Sequence, residues 1–96
     1  MKNPDAAAVE MNDLSTPAYY LLDPALYRYE LLGEGFTLLE ASRGCPFSCA
    51  YCSLLVYGRK VRFRDPQKVA DDVAAAIATG ARCGYFIDVE FTVNRK

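Results

Sequence analysis

The chain has 96 residues, enough for one small domain near the lower part of the common size range. A hydrophobic fraction of 52% is typical of a globular chain and excludes an intrinsically disordered one. The formal net charge of −1 gives no bulk attraction to nucleic acid or to an anionic membrane, and no apolar run approaches the ~20 residues that span a bilayer.

Residues 1–35 are predicted to form an N-terminal tether and connector, ahead of a main unit at residues 36–96. The Ser-Thr-Pro sequence at 15–17 ends the single helical turn that the preceding alanines could form. The segment at 17–27 is equally consistent with a connector and with aromatic residues that cover the edge of a small core.

A short helix and a turn are predicted in the second half of this connector. Asp23 followed by Pro24 is a helix start, with Asp as the N-cap and Pro at the first helical position, and it predicts a short helix through Leu26 to Tyr29. The Gly-Glu-Gly sequence at 33–35 predicts a turn.

Residues 36–42 are predicted to form a strand that leads directly into a cysteine-rich loop. The segment is rich in apolar and β-forming residues and is bounded by glycine. Gly44 then frees the backbone and Pro46 stiffens it. In parallel α/β sheets and barrels, functional loops follow the carboxyl ends of strands, so this loop is the predicted functional site.

Three of the four cysteines, Cys45, Cys49 and Cys52, lie within eight residues in a C-x3-C-x2-C pattern. Three clustered thiolates suit a soft metal centre. A structural zinc site would need a fourth Cys or His, and the chain has no histidine. The set therefore favours a 4Fe–4S cluster with one open iron, because electron-transfer clusters use four cysteines.

Other roles for these cysteines remain open: a redox thiol set, a partial zinc site or disulfide partners. The start of the chain lacks the apolar region of a signal peptide, and four cysteines in 96 residues are fewer than a disulfide scaffold carries. Reduced thiols and this start predict a cytoplasmic location with no membrane partner.

The run at 43–52, with Tyr51 just before the last cysteine, resembles the signature of radical S-adenosylmethionine (radical SAM) enzymes. Within that superfamily it is most similar to the branch with a cobalamin-binding domain ahead of the radical domain, and it also resembles the methylthiotransferases. Residues 17–27 loosely resemble the connector between the two domains of that branch. Any cobalamin would bind through a domain that is absent from this sequence.

The resemblance implies roles for particular residues. Cys45, Cys49 and Cys52 would each ligate one iron, and the fourth iron would take the methionine part of S-adenosylmethionine. Tyr51 would lie near the adenine. A flavodoxin or ferredoxin would supply the electron that cleaves the sulfonium, and the radical so released would modify an unknown substrate by methylation, methylthiolation or a related change.

A basic run at 59–64 follows the cysteines, after an apolar segment at 53–58 that is predicted to be a turn or short helix. The alternation in the basic run suggests an extended segment with one basic edge, which could bind a phosphate, a carboxylate or RNA. The ordinary expectation for such a short run is that its side chains are solvated.

The clearest predicted helix begins at Asp65 as N-cap with Pro66 at the first position, and ends at Gly80. An apolar stripe along it is expected to pack on a sheet, whereas Asp71 and Asp72 are expected to face away. The predicted stripe consists of Val69, Val73 and Ile77, with Ala70 and Ala74 beside them.

A second strand is predicted at 85–93, which completes a βαβ unit with parallel strands. Cys83, just before it, is expected to be a buried free cysteine. The alternative is a fourth cluster ligand, which would make the chain a small iron–sulfur electron-transfer module. A structural zinc or thiol module is a third alternative.

Two carboxylates, Asp88 and Glu90, lie near the carboxyl end of this strand. Many radical SAM enzymes have Gly-Gly-Glu here, which binds the amino group of the cofactor. Only Glu90 matches the acidic position and both glycines are missing, but the resemblance still makes Asp88 and Glu90 candidate cofactor-binding residues. A carboxylate near a cationic amino group is physically reasonable; the alternative is a strand-end carboxylate in solvent.

The radical domain that the chain resembles is a partial (βα)6 barrel of about two hundred residues or more. The predicted strand, helix and strand are a truncated βαβ portion of such a barrel, with unpaired edges and uncovered apolar faces. We therefore expect a fragment, whose missing remainder is a possible partner as a separate chain. Whether this chain alone is an active enzyme stays open.

Overall fold

The computed structural model describes residue 7, residues 9–52 and residues 58–93. Most of the segment predicted as an apolar turn or short helix after the cysteines, at 53–57, lies outside the described residues. Within the part of the chain that the structure describes, no helix is long and apolar enough to cross a membrane.

The predicted helix is confirmed as α1, Pro66–Ala78. Its start is capped as expected, because the Asp65 carboxylate accepts a hydrogen bond from the backbone N–H of Gln67 at 2.8 Å. Gly80, with φ of 95°, follows the C-cap and reverses the chain where a residue with a Cβ would be strained.

The predicted βαβ unit is also confirmed, although its second strand lies at Cys83–Phe86 and not at 85–93 as predicted. Strand β3 (Phe36–Leu39) pairs in parallel with β6 (Cys83–Phe86), and α1 lies between them along the chain. Residues from the helix, from β3 and from the connector form a small core under this sheet. Its buried members are Tyr19, Leu39 and Ala76, with Val73, Ala75, Ala81 and Phe86 packed against them. The fold is mixed α/β, and the larger barrel stays a prediction.

The first predicted strand is shorter than expected, because the chain leaves the parallel sheet after Leu39. It forms a separate strand β4 (Ser42–Arg43), which pairs antiparallel with β5 (Arg62–Phe63). The corner between β3 and β4 is fixed by side-chain and backbone bonds to Ala41 and Ser42 rather than by continued strand pairing.

The connector holds three 3-10 helices (Met11–Asp13, Tyr19–Leu21 and Pro24–Leu26) and an antiparallel pair of strands, β1 (Arg28–Tyr29) and β2 (Gly33–Glu34).

The start of the predicted connector helix is confirmed, since the Asp23 carboxylate caps it by accepting from the Ala25 N–H at 3.0 Å. The prediction that it extends to Tyr29 is wrong. The carbonyl of Tyr27 accepts from Gly35 and Phe36, which draws the chain into the hairpin instead. The predicted turn at 33–35 is partly strand β2.

The expectation that Asp72 faces away from the core is wrong, as is full solvation of the basic run. Arg64 and Asp72 are 6% and 5% exposed, and the Arg64 Nε lies 2.7 Å from the Asp72 Oδ2. The Arg64 Nη1 also donates to the carbonyls of Met11 and Leu14 at 2.9 Å each. This buried pair joins the N-terminal segment, the segment before α1 and the helix itself.

The apolar stripe of α1 is rotated from its predicted position. Ile77 is 62% exposed, and Ala70 and Ala74 are exposed as well. The inward face instead carries Asp72 and Ala76, with Val73 partly buried against the core. Asp72 points inward because it pairs with the buried Arg64, and the buried face of α1 is therefore rotated by part of a turn from the predicted stripe.

Candidate metal centre

The cysteine loop, residues 44–61, leaves β4 and returns to β5, so the pairing of these two strands closes its base. Two further backbone bonds tighten the closure. The N–H of Cys45 donates to the carbonyl of Gly58 at 3.3 Å, and the N–H of Arg64 donates to the carbonyl of Ala41 at 2.8 Å. The start and the end of the loop are therefore held side by side.

Gly44 is required at the first position of this loop. Its φ of 103° lies in the left-handed region, and a Cβ built there would lie 2.4 Å from the carbonyl oxygen of Lys60. The two ends of the loop can approach this closely only because Gly44 has no side chain.

The three clustered cysteines line one small cavity of about 60 Å³ inside the loop. Cys45 is half-buried, whereas Cys49 and Cys52 are exposed, and all are free thiols. The N–H of Cys52 donates to the carbonyl of Cys49 at 3.1 Å, which turns the chain between the last two cysteines. Phe47, Ser48, Gly58 and Arg59 complete the lining.

Thiolates are the ligands that iron–sulfur clusters use, so the three cysteines suit such a cluster by their chemistry. Among the described residues, no group of three or more His, Cys, Asp or Glu side chains is arranged to hold one ion. A cluster spreads its irons over several corners, so each thiolate can bind a different iron without converging on a common point. The three free thiols share the lining of one cavity.

Cys83 lies apart from this cavity. It begins β6 opposite Phe36, at the end of the parallel sheet away from the cysteine loop, and its thiol is 3.7 Å from the carbonyl of Glu34. It lines a different pocket, with Thr37 and Leu39. The structure therefore does not bring Cys83 together with the other three cysteines.

The other predicted site residues lie in different settings. Tyr51 is 93% exposed at the tip of the loop. Glu90 is partly buried and its Oε1 accepts from the Thr92 hydroxyl at 2.8 Å. Asp88 accepts two hydrogen bonds from the corner between β3 and β4, one from the Ala41 N–H and one from the Ser42 hydroxyl.

Sequence reasoning missed two contributors to the loop. Arg59 lines the cavity and its Nη1 donates to the carbonyl of Phe47 at 3.3 Å, so it bridges the two sides of the loop. Ser42 is buried and bonded to Asp88. A small hydroxyl residue directly before the Arg-Gly-Cys sequence was the available signal for Ser42. No local pattern singles out Arg59 from its basic neighbours.

Curated proteins match almost the whole chain. The chain is 37% identical over 95 residues to an anaerobic magnesium-protoporphyrin IX monomethyl ester cyclase of Cereibacter sphaeroides, covering 95% of this chain and 15% of that protein. It is 33% identical over 90 residues to the hopanoid C-2 methylase of Rhodopseudomonas palustris, covering 92% and 16%. It is 31% identical over 88 residues to an uncharacterized methyltransferase of Pyrococcus horikoshii, covering 90% and 19%.

The chain thus spans less than a fifth of the length of these relatives. No protein-family model matches it, and no solved structure matches it. The matched region includes the cysteine loop and the sheet that carries it, because it covers at least nine-tenths of this chain.

Proposed function

We propose that this chain is a cluster-binding portion of a radical S-adenosylmethionine enzyme, because it belongs to that superfamily. Cys45, Cys49 and Cys52 would hold a 4Fe–4S cluster and leave one iron open to S-adenosylmethionine. The observation that carries this proposal is that these three free thiols line one cavity in a loop whose base is closed by strand pairing.

When bound, the cluster would supply the electron for reductive cleavage of S-adenosylmethionine. The chain's own residues would hold the cluster and orient the cofactor. The fixed base sets where Cys45 enters the cavity, and Arg59 spans the loop to the carbonyl of Phe47. Tyr51, exposed beside Cys52, is available to stack on an adenine.

Of the two predicted carboxylates, we assign Glu90 to the cationic amino group of the cofactor. One of its oxygens accepts a hydrogen bond from the Thr92 hydroxyl at 2.8 Å. A carboxylate can form a charge-assisted hydrogen bond with an ammonium group. Both oxygens of Asp88 already accept hydrogen bonds from the loop corner.

The proposed reaction is a radical modification of the methylation or methylthiolation type, on a substrate that we leave unassigned. The names of the hopanoid C-2 methylase and of the uncharacterized methyltransferase support methylation as the reaction class. A flavodoxin or ferredoxin would donate the electron. Segments corresponding to the rest of the relatives' length would supply most of the substrate site, whether in the same chain or in another.

Anaerobic reconstitution with iron and sulfide, followed by EPR of the reduced protein with and without S-adenosylmethionine, tests the proposal. We expect a 4Fe–4S signal that changes when the cofactor is added, because an open iron takes a new ligand. Serine substitution of Cys45, Cys49 or Cys52 should abolish the signal. Cys83→Ser is the matched control and should keep it.

Two outcomes would contradict the proposal. Loss of the cluster in Cys83→Ser, with no response to S-adenosylmethionine in the parent chain, would indicate a four-cysteine electron-transfer module. Stoichiometric binding of zinc, with no uptake of iron and sulfide, would indicate a structural metal module.

A further inference from the structure

Asp88 joins the end of the parallel sheet to the start of the cysteine loop. It lies two residues beyond β6, where its Oδ1 accepts from the Ser42 hydroxyl at 2.6 Å and its Oδ2 accepts from the Ala41 N–H at 3.0 Å. These bonds connect positions 46 and 47 residues apart in the chain. Asp88 therefore bridges two segments that the sequence keeps far apart.

The corner that Asp88 holds is also held from its other side. The carbonyl of Ala41 accepts from the N–H of Arg64 at 2.8 Å, so Ala41 is bonded both to Asp88 and to the segment after β5. Ser42 is buried and begins β4, and Cys45 follows three residues later. The direction in which the chain enters the cavity is thus set at this corner.

We propose that Asp88 is a positioning residue for the cysteine loop, which acts through Ser42 and Ala41. The carboxylate fixes the point where the chain leaves the parallel sheet and so fixes the placement of Cys45. This inference rests on the proposed function, and it replaces the cofactor contact that the sequence predicts for Asp88.

The chemistry of the two bonds gives Asp88 this role. Hydrogen bonds to an ionised acceptor are shorter and stronger than neutral ones, in keeping with the 2.6 Å distance to Ser42. Removing the carboxylate would leave a backbone N–H and a buried hydroxyl without their acceptor. The corner would then relax, and Cys45 would lose its defined position.

The Asp88→Asn variant distinguishes a positioning role of Asp88 from a role that requires its negative charge. In Asp88→Asn the side-chain carbonyl can still accept from the Ala41 N–H, and the Ser42 hydroxyl can rotate to accept from the new amide. Asp88→Ala removes both contacts. A carboxylate that bound the ammonium group of S-adenosylmethionine would fail in both variants, whereas a positioning residue would be rescued by asparagine.

The experiment compares the parent chain with Asp88→Ala, Asp88→Asn and the matched control Asp71→Ala, each reconstituted with iron and sulfide. Asp71 is exposed and bonds only an exposed glutamine within the described structure. We expect the affinity of Asp88→Ala for its cluster to fall by about tenfold, the lower end of the range for residues bonded directly to a metal ligand, because Asp88 acts on Cys45 only through Ser42 and Ala41. Asp88→Asn and Asp71→Ala should keep both the cluster and its EPR response to S-adenosylmethionine.

Two results would overturn the inference. One is a cluster in Asp88→Ala that is as stable as in the parent chain. The other is an Asp88→Asn protein that keeps its cluster but no longer responds to S-adenosylmethionine, since this would make Asp88 a cofactor contact.

A second measurement on the metal-free chain separates this inference from the proposed function. The alkylation rate of Cys45, relative to that of the distant Cys83, should rise in Asp88→Ala and stay at the parent value in Asp88→Asn. Unchanged relative rates would overturn the inference even if the parent chain takes up no cluster and the proposed function fails.

Ser42→Ala covers the case in which Asp88→Ala does not fold. It removes one of the two bonds and keeps the bond between Asp88 and the Ala41 N–H. In Ser42→Ala, a rise in the alkylation rate of Cys45 alone supports the positioning role of Asp88. Equal rises in the rates of Cys45 and Cys83, or no rise at either, contradict it.

Discussion

The base and the tip of the cysteine loop are built in different ways. The base is fixed by the pairing of β4 with β5, by Asp88 and by the backbone bonds of Ala41 and Cys45. At the tip, Phe47 is 58% exposed and Tyr51 is 93% exposed. The chain therefore determines where the loop begins and ends, whereas these side chains at the tip are open to solvent.

Breaking the buried ion pair between Arg64 and Asp72 should have the largest effect on the stability of the whole fold. Asp72→Ala leaves the Arg64 guanidinium buried without its carboxylate, and the loss of one partner of such a pair costs about 3–5 kcal/mol. We expect the free energy of unfolding, measured by urea titration of the helical CD signal, to fall by that order. The neighbouring Asp71→Ala, on the exposed side, should change it by less than about 0.5 kcal/mol. Equal losses in the two variants would contradict the role of the pair.

Gly44→Ala should have the second-largest effect on stability. A left-handed backbone at a residue with a Cβ costs about 1–3 kcal/mol, and here the Cβ would also overlap the Lys60 carbonyl. We expect a loss of stability together with a loss of cluster uptake, because the base of the loop would open. Gly58→Ala is the matched control: its φ is 71°, but among the described residues other than its chain neighbours no atom lies within 4 Å of the added Cβ. A Gly58 variant as damaged as the Gly44 variant would mean that close approach is not what Gly44 provides.

Substitution of Tyr19, in the core, should have a smaller effect on stability that depends on pH. Its hydroxyl donates to the carbonyl of Leu38 at 3.2 Å, so Tyr19→Phe should cost about 1 kcal/mol at neutral pH. Burial raises the pKa of Tyr19 above 10.0, and the Asp72 carboxylate raises it further, while Arg64 opposes them.

This raised pKa fixes the direction of the pH dependence. Above pH 10 the unfolded chain loses the Tyr19 proton before the folded chain does, so this contribution to stability is complete below pH 10 and falls as the pH rises through the folded pKa. The difference in urea midpoint between the parent chain and Tyr19→Phe should therefore narrow from pH 8 to pH 10.5. A constant or widening difference would be inconsistent with the raised pKa.

Substitution at the tip should have the smallest effect on folding. Tyr51→Ala should change the free energy of unfolding by less than about 0.5 kcal/mol, because the side chain is almost fully in solvent. It should weaken the EPR response to S-adenosylmethionine, with Tyr20→Ala as an exposed tyrosine control away from the loop. An unchanged cofactor response would remove Tyr51 from the proposed site.

Local signals in the sequence predict much of this architecture. The Asp-Pro start at 65–66 and Gly80 bound the helix, and the β-forming segments on either side give the parallel pair. These predictions succeed because capping and strand propensity act over a few residues. The cysteine spacing likewise predicts three thiols around one place, and the shared cavity agrees with it.

Contacts between distant segments could not be predicted in this way. Asp72 appears solvent-facing when only apolar residues are counted, and it becomes an inward residue only because Arg64 lies opposite it. The break between β3 and β4 depends on Asp88, which is 46 residues away from Ser42 along the chain. Both errors come from charged groups whose partners lie in other elements.

Contacts on either side of the cysteine loop bear on what happens if the loop is cleaved. They are made by Arg62, Arg64, Asp65 and Lys68. These residues bond to the backbone or side chains of residues 9–14, and β3 pairs with β6 on the far side of the loop. A tryptic nick after the exposed Arg59 would therefore yield two polypeptides that stay associated as a complemented pair. Such a pair would be held together by contacts between its two halves and not by the peptide bonds of the loop.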